Sequence, residues 1–307
     1  MKHILVVGSM NADMVIQTER MPLMGETIRG GGFRVNPGGK GANQAAALAK
    51  LGGCVKMMGC VGADMYGDMM RQSLTQYGVQ TDGVETDTSV STGVAVITVC
   101  GGDNCIILDA GANGCMTKDI IDQNHALFAW ADYCVLQLEI PLDTVVYAAQ
   151  TAKQNGAYVV LNPAPMCPLP DALLAATDLF VPNLSEAQLF LGHEIDGIDG
   201  AKAAVGEIRA CGIGDVIITL GGDGCVYSDG ADILHHGIVE TMVVDTTAAG
   251  DTFTAGVTVC LSEGNSMREA VRFATYASAL CVGRSGAMAS VPMRAEVEAF
   301  FASANNE

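Results

Sequence analysis

The sequence predicts an α/β fold in which helices cover both faces of a central, mostly parallel sheet. Short, almost continuously apolar runs of strand length alternate with longer segments of helical periodicity. Strands that are apolar on both faces are typical of parallel sheets, because crossover helices cover each face. Half of the residues are hydrophobic and only 16% are charged, so the chain can bury a large core.

The predicted elements follow one another along the whole chain. The predicted strands are residues 4–9, 55–61, 133–138, 158–161, 179–181 and 216–220. The predicted helices are residues 41–51, 68–77, 142–155, 201–210, 251–262, 267–282 and 294–304. No linker, charge block or repeat interrupts this order, so we expect residues 1–307 to form a single α/β domain.

Two stretches, residues 14–36 and 91–110, depart from this alternation and combine β segments with many glycines. The second stretch is predicted to form a hairpin with strands at 93–99 and 105–108 and a turn at 101–104. These stretches would form a small sheet that projects from the core and covers a site as a lid. An ordinary extension of the main sheet is the alternative.

Composition restricts the partners and the compartment. A net charge of −18 repels phosphate backbones, so nucleic acid is not an expected partner, and ATP would need help from backbone N–H groups or a metal ion. The 11 cysteines are scattered without a C-x-x-C pair, which favours a reduced cytoplasmic protein. No apolar run reaches about 18 residues and no signal-type stretch opens the chain, so we expect no membrane span.

The segment most informative about chemistry is residues 244–253, which is predicted to follow a strand and to open an apolar helix. Small residues at 248–250 let the backbone approach a ligand, and the N–H groups of a helix start bind anionic oxygens. Asp251 lies at this helix start, where a carboxylate can take a proton from an alcohol while the amides hold a phosphate. The alternative is that Asp251 is only a helix N-cap.

Two further segments place polar residues beside glycines at the ends of predicted elements. Residues 36–44 join irregular chain to the helix predicted at 41–51, although the glycine and Ser or Thr spacing of a Walker A loop is missing. Residues 8–13 follow the first strand, where open α/β sheets bind ligands, and Asn11 and Asp13 offer oxygens to hydroxyl groups. A G-x-G-x-x-G pattern is missing, which disfavours an oxidoreductase. Each segment alone is equally compatible with a turn.

Together these segments resemble the ribokinase-like family of sugar and nucleoside kinases. The resemblance rests on short motifs that stand in the order of the family and span nearly the whole chain. The motifs are residues 8–13 (GSMNAD), 22 and 25–27 (P and GET), 38–44 (GGKGANQ), 91–95 (STGVA), 111–113 (GAN), 136–139 (LQLE), 161–165 (LNPAP), 182–186 (PNLSE), 218–221 (ITLG) and 245–253 (DTTAAGDTF). Most members carry Gly-Ala-Gly-Asp at the last motif, where this chain has an alanine at position 248.

The resemblance implies ATP-dependent phosphorylation of the primary hydroxyl of a pentose, with D-ribose to ribose 5-phosphate as the leading reaction. Deoxyribose, another sugar or a nucleoside is the alternative substrate. The lid stretches hold only Phe33 as an aromatic residue, which favours a free pentose over a nucleoside. A catalytically inactive sugar sensor is disfavoured because Asp251 and Gly250 are retained.

The resemblance also implies roles for individual residues. Asp251 would be the general base, and the backbone amides of Ala248, Ala249 and Gly250 would hold charge on the transferring phosphate. The sugar would contact Asn11, Asp13, Gly39, Lys40, Gly41, Asn43, Glu139 and Asp251. The nucleotide would contact Asn183, Thr219, Leu220, Gly221, Gly222, Asp223, Gly224, Gly250 and Thr275.

Two cations and a second subunit complete this expectation. Mg²⁺ near Glu186 would neutralise phosphate oxygens, and K⁺ would lie beside the catalytic turn. The residues around K⁺ would be Asp245, Thr247, Cys281, Arg284, Gly286 and Ser290. The lid stretches would pair between two subunits to give a homodimer. Asp223 and Thr275 depart from the family, since the first adds negative charge near the phosphates and the second replaces a larger polar residue.

Overall fold

The computed structural model describes residues 2–101 and 103–304. The strands are β1 (His3–Val7), β2 (Asn11–Thr18), β3 (Gly31–Gly38), β4 (Cys54–Gly62), β5 (Gln80–Asp87), β6 (Gly93–Cys100), β7 (Asp103–Asp109), β8 (Tyr133–Leu136), β9 (Tyr158–Leu161), β10 (Leu179–Phe180), β11 (Asp215–Thr219), β12 (Cys225–Asp229) and β13 (Asp232–His236). The helices are α1 (Lys40–Lys50), α2 (Met65–Gln76), α3 (Lys118–Gln123), α4 (His125–Trp130), α5 (Leu142–Gln154), α6 (Asp171–Leu174), α7 (Leu184–Leu191), α8 (Gly197–Ala210), α9 (Ala249–Ser262), α10 (Met267–Val282) and α11 (Arg294–Ala304). Short 3₁₀ helices form at Gly111–Cys115 and Gly221–Asp223.

Nine of the strands form one sheet in the order β13-β12-β11-β10-β9-β8-β1-β4-β5. The strands from β11 to β5 in this order run parallel, while β11 pairs with β12 and β12 with β13 in antiparallel fashion. The central strands end at one edge of the sheet, where the following loops meet. The predicted mostly parallel sheet is therefore confirmed.

Both faces of this sheet are covered by helices, as the apolar strands predicted. Successive residues of a strand point to opposite faces, so Ile4 and Val6 of β1 join one hydrophobic cluster while Leu5 and Val7 join another. The first cluster contains residues of α1, α2, α9, α10 and α11, and the second contains residues of α3 to α8. Each fully buried aliphatic side chain contributes about 1.5–3 kcal/mol, which makes this layered packing the main source of stability.

The other four strands form a separate small sheet in the order β3-β2-β6-β7. β2 and β6 run parallel, and the outer pairs are antiparallel. β2 begins at Asn11, and only residues 8–10 lie between it and the end of β1, so this short turn is one of the connections between the two sheets. The predicted separate sheet is confirmed. The hairpin turn expected at 101–104 includes residue 102, which lies outside the described residues.

Some features were not predicted or were predicted wrongly. The strands β5, β12 and β13 were not predicted, because they lie at or beside the edges of the sheet and have polar residues. Strand β13 precedes α9, but residues 237–248 between them form a loop, so α9 does not follow the strand directly. This loop must bring the chain from β13, at one edge of the sheet, to α9, which packs on α1 near the centre.

Every helix among residues 2–101 and 103–304 is too short or too polar to reach from one side of a bilayer to the other.

Candidate active site

A cavity of about 730 Å³ separates the small sheet from the loops at the carboxyl edge of the main sheet. Strands β2, β3, β6 and β7 supply one wall, and the starts of α1 and α9 with the loop at 285–287 supply the other. Of the residues expected to contact a sugar, this cavity is lined by Asn11, Asp13, Gly39, Lys40, Asn43, Glu139 and Asp251. Residues that lie far apart in the sequence thus converge because the strand ends and helix starts meet at one edge.

A second cavity of about 240 Å³ adjoins the first. Residues expected to hold phosphate or nucleotide line it, namely Asn183, Glu186, Thr219, Ala248, Ala249 and Gly250. Lys40 and Asp251 line both cavities. The carboxylate of Asp251 and the ammonium of Lys40 therefore lie where a group in one cavity would meet a group in the other.

The turn that opens α9 has a conformation unusual for its sequence. Ala248 is the N-cap with φ 61°, and it is the one non-glycine residue with positive φ in the described part of the chain. An alanine in this region costs about 1–2 kcal/mol, a strain that is typical of functional turns. The alternative that Asp251 is the N-cap is wrong, because Asp251 is the third residue of the helix. Ala248, Ala249 and Gly250 line the smaller cavity, and the N–H groups of a first helical turn have no partners within their own helix. The N–H of Ala249 is already engaged, because it donates to the Thr246 carbonyl at 3.2 Å.

Asp251 is 8% exposed and both of its carboxylate oxygens accept hydrogen bonds from α1. The side-chain amide of Asn43 donates to Oδ2 at 3.2 Å, and that of Gln44 donates to Oδ1 at 3.0 Å. The two donors are consecutive residues of α1, so one helix holds both oxygens of the carboxyl group. Asp251 is thus fixed at the border of the two cavities, as a general base requires.

Five carboxyl groups line the larger cavity, and three of them, Asp13, Glu139 and Asp251, interact electrostatically. Glu139 follows β8, and its Oε2 accepts hydrogen bonds from the hydroxyl of Ser9 at 2.5 Å and from the backbone N–H of Lys40 at 3.0 Å. Burial, together with the negative charges of Glu139 and Asp251, raises the pKa of Asp13 to about 7. At neutral pH the carboxyl group of Asp13 is therefore partly protonated, so it can both donate a hydrogen bond to a hydroxyl group and accept one.

The pKa of Asp13 predicts a measurable dependence of stability on pH. The value is 3.8 in the unfolded reference and about 7 in the folded protein, so the folded state binds this proton more tightly. The stabilisation is complete below about pH 4 and is lost as the pH rises through about 7. We expect Asp13→Asn to raise the melting temperature by a few degrees at about pH 8 and to change it little at about pH 5. Circular dichroism melts would measure this.

The control for that experiment is Asp119→Asn, which replaces an exposed carboxylate in the first turn of α3. Its effect on the melting temperature should be similar at both pH values. An Asp13→Asn effect that is also the same at both pH values would contradict the raised pKa.

Lys40 balances the carboxyl groups between the cavities. Burial lowers its pKa, but the charges of Asp251, Glu139 and Glu186 outweigh burial and raise the pKa above its usual value. The ammonium group is therefore fully charged at neutral pH. A fixed cation at this point can stabilise negative charge on a group that moves between the two cavities.

The glycines around Lys40 are required by close backbone contacts. Gly39 has φ 88° and lines the larger cavity, and a Cβ atom there would lie 2.8 Å from the backbone nitrogen of Asn11. Gly41 does not line either cavity, because it packs against the β1–β2 turn, where a Cβ atom would lie 2.5 Å from the nitrogen of Ser9. The role of Gly41 in this structure is to let α1 approach that turn.

The residues expected to bind nucleotide fall into two groups. Asn183, Thr219 and Gly250 line the smaller cavity. Asn183 also forms a capping box at the start of α7 with Glu186, the residue expected near Mg²⁺. The other residues line neither described cavity, and they are Leu220, Gly221, Gly222, Asp223, Gly224 and Thr275. The four residues from 221 to 224 follow β11 in an exposed turn, whereas the Thr275 hydroxyl donates to the Val271 carbonyl within α10 at 2.9 Å.

Five of the six residues expected around K⁺ lie together beside the turn that opens α9. The Asp245 carboxylate accepts hydrogen bonds from the backbone N–H groups of Thr247 at 2.9 Å and Gly286 at 3.0 Å. The sulfur of Cys281 lies 3.2 Å from the hydroxyl of Ser290. The side chain of Arg284, in contrast, pairs with Glu296 at 2.6 Å.

The charge of Asp245 suits a cation. Burial raises its pKa, but the hydrogen bonds from Thr247 and Gly286, together with the charge of Arg34, outweigh burial and lower the pKa below its usual value. A carboxylate that remains ionised supplies oxygen atoms of the kind that can coordinate K⁺.

Sequence reasoning missed several residues that hold the site together. Asn113 donates to the side chain of Asn11 at 2.7 Å and also bonds both backbone groups of Met10, which fixes the β1–β2 turn. Gln44 contacts Asp251 directly, and Gln137 contacts Gln44 at 2.6 Å. Asn113, Gln44 and Gln137 lie within the family motifs at 111–113, 38–44 and 136–139, and these motifs could have pointed to them. Their contacts, however, are visible only in the fold.

Comparison with known proteins agrees with this geometry. The pattern of the pfkB family carbohydrate kinases matches residues 1–294. The ribokinase of Haemophilus influenzae is 40% identical over 301 residues, covering 97% of this chain and 98% of that protein. A deoxyribokinase of Salmonella typhi is 34% identical over 291 residues, covering 94% and 95%. The structure of Arabidopsis thaliana ribokinase complexed with ribose and ATP matches with a TM-score of 0.90 at 35% identity, covering 97% of this chain and 98% of that chain.

The matches to individual proteins extend over nearly the full length of this chain and of each compared protein, and they confirm the resemblance that the motifs indicated. The chain belongs to the pfkB family of carbohydrate kinases.

Proposed function

We propose that this kinase transfers the γ-phosphoryl group of ATP to the primary hydroxyl of D-ribose, giving ribose 5-phosphate. The observation that carries the proposal is the position of Asp251 at the border of a polar cavity and a cavity lined by a helix start. The sugar would occupy the larger cavity, with its primary hydroxyl at Asp251. The terminal phosphate would occupy the smaller cavity, beside the first-turn N–H groups of α9.

Each part of this arrangement meets one demand of phosphoryl transfer. Asp251 accepts the proton of the attacking hydroxyl, because its fixed carboxylate has access to the sugar side. The first turn of α9 and the ammonium of Lys40 stabilise charge on the transferring group. Asn11, Asp13 and Glu139 offer amide and carboxyl groups to the remaining sugar hydroxyls.

A free pentose suits the larger cavity better than a nucleoside does. Phe33 is 64% exposed and does not line this cavity. Among the described residues, the cavity is lined by no aromatic side chain on which a base could stack. Deoxyribose is the second candidate, supported by the similarity to a deoxyribokinase, which is lower than the similarity to a ribokinase.

Cations would supply the positive charge that the protein lacks at this site. The carboxyl side chains lining the larger cavity are Asp13, Asp103, Glu139, Asp245 and Asp251, against the cations Arg34 and Lys40. Among the described residues, no group of three His, Cys, Asp or Glu side chains could hold a metal ion alone. Mg²⁺ would therefore enter with the phosphates, near Glu186, and neutralise their charge. K⁺ would be held near Asp245, Thr247 and Ser290.

The proposal extends to the assembly and the setting of the protein. Residues 1–307 would act as one domain in the cytoplasm, and two copies would pair through the lid. The edge strand β7 supports this pairing, because it is exposed along its length and carries Ile106, Ile107 and Leu108. An exposed apolar edge is a surface that another sheet can cover. Sedimentation velocity measures the oligomeric state.

A substrate panel tests the proposed function. Ribose, deoxyribose, fructose and nucleosides would be assayed with ATP and Mg²⁺, and the ribose reactions would be repeated with K⁺ replaced by tetramethylammonium. We expect the highest kcat/KM for ribose, with a lower kcat when K⁺ is removed. A higher kcat/KM for deoxyribose or for a nucleoside would reject ribose as the substrate.

A further inference from the structure

A chain of buried amide groups reaches from the main sheet to Asp251. Gln137 follows β8 and Gln44 lies on α1, and both side chains are 0% exposed. The Gln137 side-chain N–H donates to Gln44 Oε1 at 2.6 Å, and Gln44 Nε2 donates to Asp251 Oδ1 at 3.0 Å. Gln44 Nε2 also donates to Asn162 Oδ1 at 3.0 Å, and the Asn162 amide is held by the Val181 carbonyl at 2.8 Å.

The neighbours of Gln44 decide which end of its amide faces the carboxylate. The two ends of an amide have nearly the same shape, so packing alone distinguishes them poorly, but one end donates and the other accepts. Gln137 donates to the side-chain oxygen of Gln44, and Asn162 accepts from its NH₂ group. Both neighbours therefore favour the orientation in which the NH₂ group of Gln44 faces Asp251. With the opposite orientation, the Gln44 oxygen would face a carboxylate oxygen and repel it.

We propose that Gln137 is a positioning residue for catalysis, which acts through Gln44 to keep a hydrogen-bond donor on Asp251. Gln137 lines neither cavity, so it would contact no substrate. The inference rests on the proposed role of Asp251 as general base. Its consequence is that the hydrogen-bonding character of residue 137, and not its volume, sets the turnover number.

Two substitutions at position 137 separate hydrogen bonding from packing. Gln137→Met keeps the length of the side chain but removes the donor, and we expect kcat to fall about tenfold with little change in KM. Gln137→Glu introduces a group that donates to Gln44 only when it is protonated. We therefore expect Gln137→Glu to approach the kcat of the parent protein at low pH and to fall to or below that of Gln137→Met as the pH rises.

The control is Thr258→Val, which removes a buried hydroxyl that donates to the Thr254 carbonyl within α9 at 2.7 Å. This variant should lower the melting temperature and leave kcat and its pH profile unchanged. The kcat profiles of all variants would be measured between about pH 5.5 and 9 with saturating sugar and ATP, together with melting temperatures.

The outcomes distinguish this inference from the proposed function. If Asp251→Asn abolishes turnover while both Gln137 variants keep the parent kcat at every pH, only the positioning role is rejected. Equal, pH-independent losses in both Gln137 variants would show a packing role and would also overturn the inference. If Asp251→Asn keeps its turnover, the base assignment itself fails. Should Gln137→Met not fold, the pH dependence of Gln137→Glu decides by itself.

Discussion

Replacing Asp251 by asparagine is expected to lower kcat by about a hundredfold to ten thousandfold while the protein remains folded. Asparagine has the same shape as aspartate but cannot take the proton of the sugar hydroxyl. Both carboxylate oxygens of Asp251 accept hydrogen bonds, from Asn43 and Gln44, so the NH₂ group of the asparagine would face one of these donors and lose a hydrogen bond. A stability loss of about 1–3 kcal/mol is therefore also expected. A coupled assay of ADP release measures kcat, and a thermal melt verifies the fold.

Asp143→Asn is the matched control, because Asp143 lies in the first turn of α5, outside both cavities. Its kcat should equal that of the parent protein. An Asp251→Asn variant with near-normal turnover would refute the assignment of Asp251 as the base, whatever its stability.

Replacing Lys40 by methionine is expected to produce the second largest effect, a loss of about 100- to 1000-fold in kcat. The ammonium lies at the border of the two cavities, and its pKa is raised by the carboxyl groups of Asp251, Glu139 and Glu186. Methionine retains most of the side-chain volume but leaves these negative charges uncompensated. Steady-state kinetics with varied sugar and with varied ATP would measure kcat and both KM values.

The division of the loss between kcat and KM identifies what Lys40 does. A lower kcat with similar KM values means that Lys40 stabilises charge in the transition state. A rise in the KM for the sugar alone, with kcat unchanged, would contradict this role and leave Lys40 as a sugar contact. Lys202→Met, on the exposed surface of α8, controls for the loss of one positive charge.

The sequence by itself determined the fold class and the main members of the site. Apolar runs of strand length require burial on both faces, and this requirement led to the parallel sheet with helices on each side. The motifs around Asn11, Lys40 and Asp251 indicated where polar groups meet glycines and helix starts. These predictions depend on residues that are close together in the sequence, and such local patterns can be recognised in a single sequence.

Only the tertiary structure decided how the amides of Gln44, Gln137 and Asn162 are arranged and on which side of Asp251 they lie. Their contacts join α1 to the ends of separate strands, and a hydrogen bond across such a distance leaves no periodicity in the sequence. The raised pKa of Asp13 likewise depends on burial and on carboxyl groups from other elements. Properties that arise where distant segments meet are set by three-dimensional distances, and for this reason the fold was needed to define them.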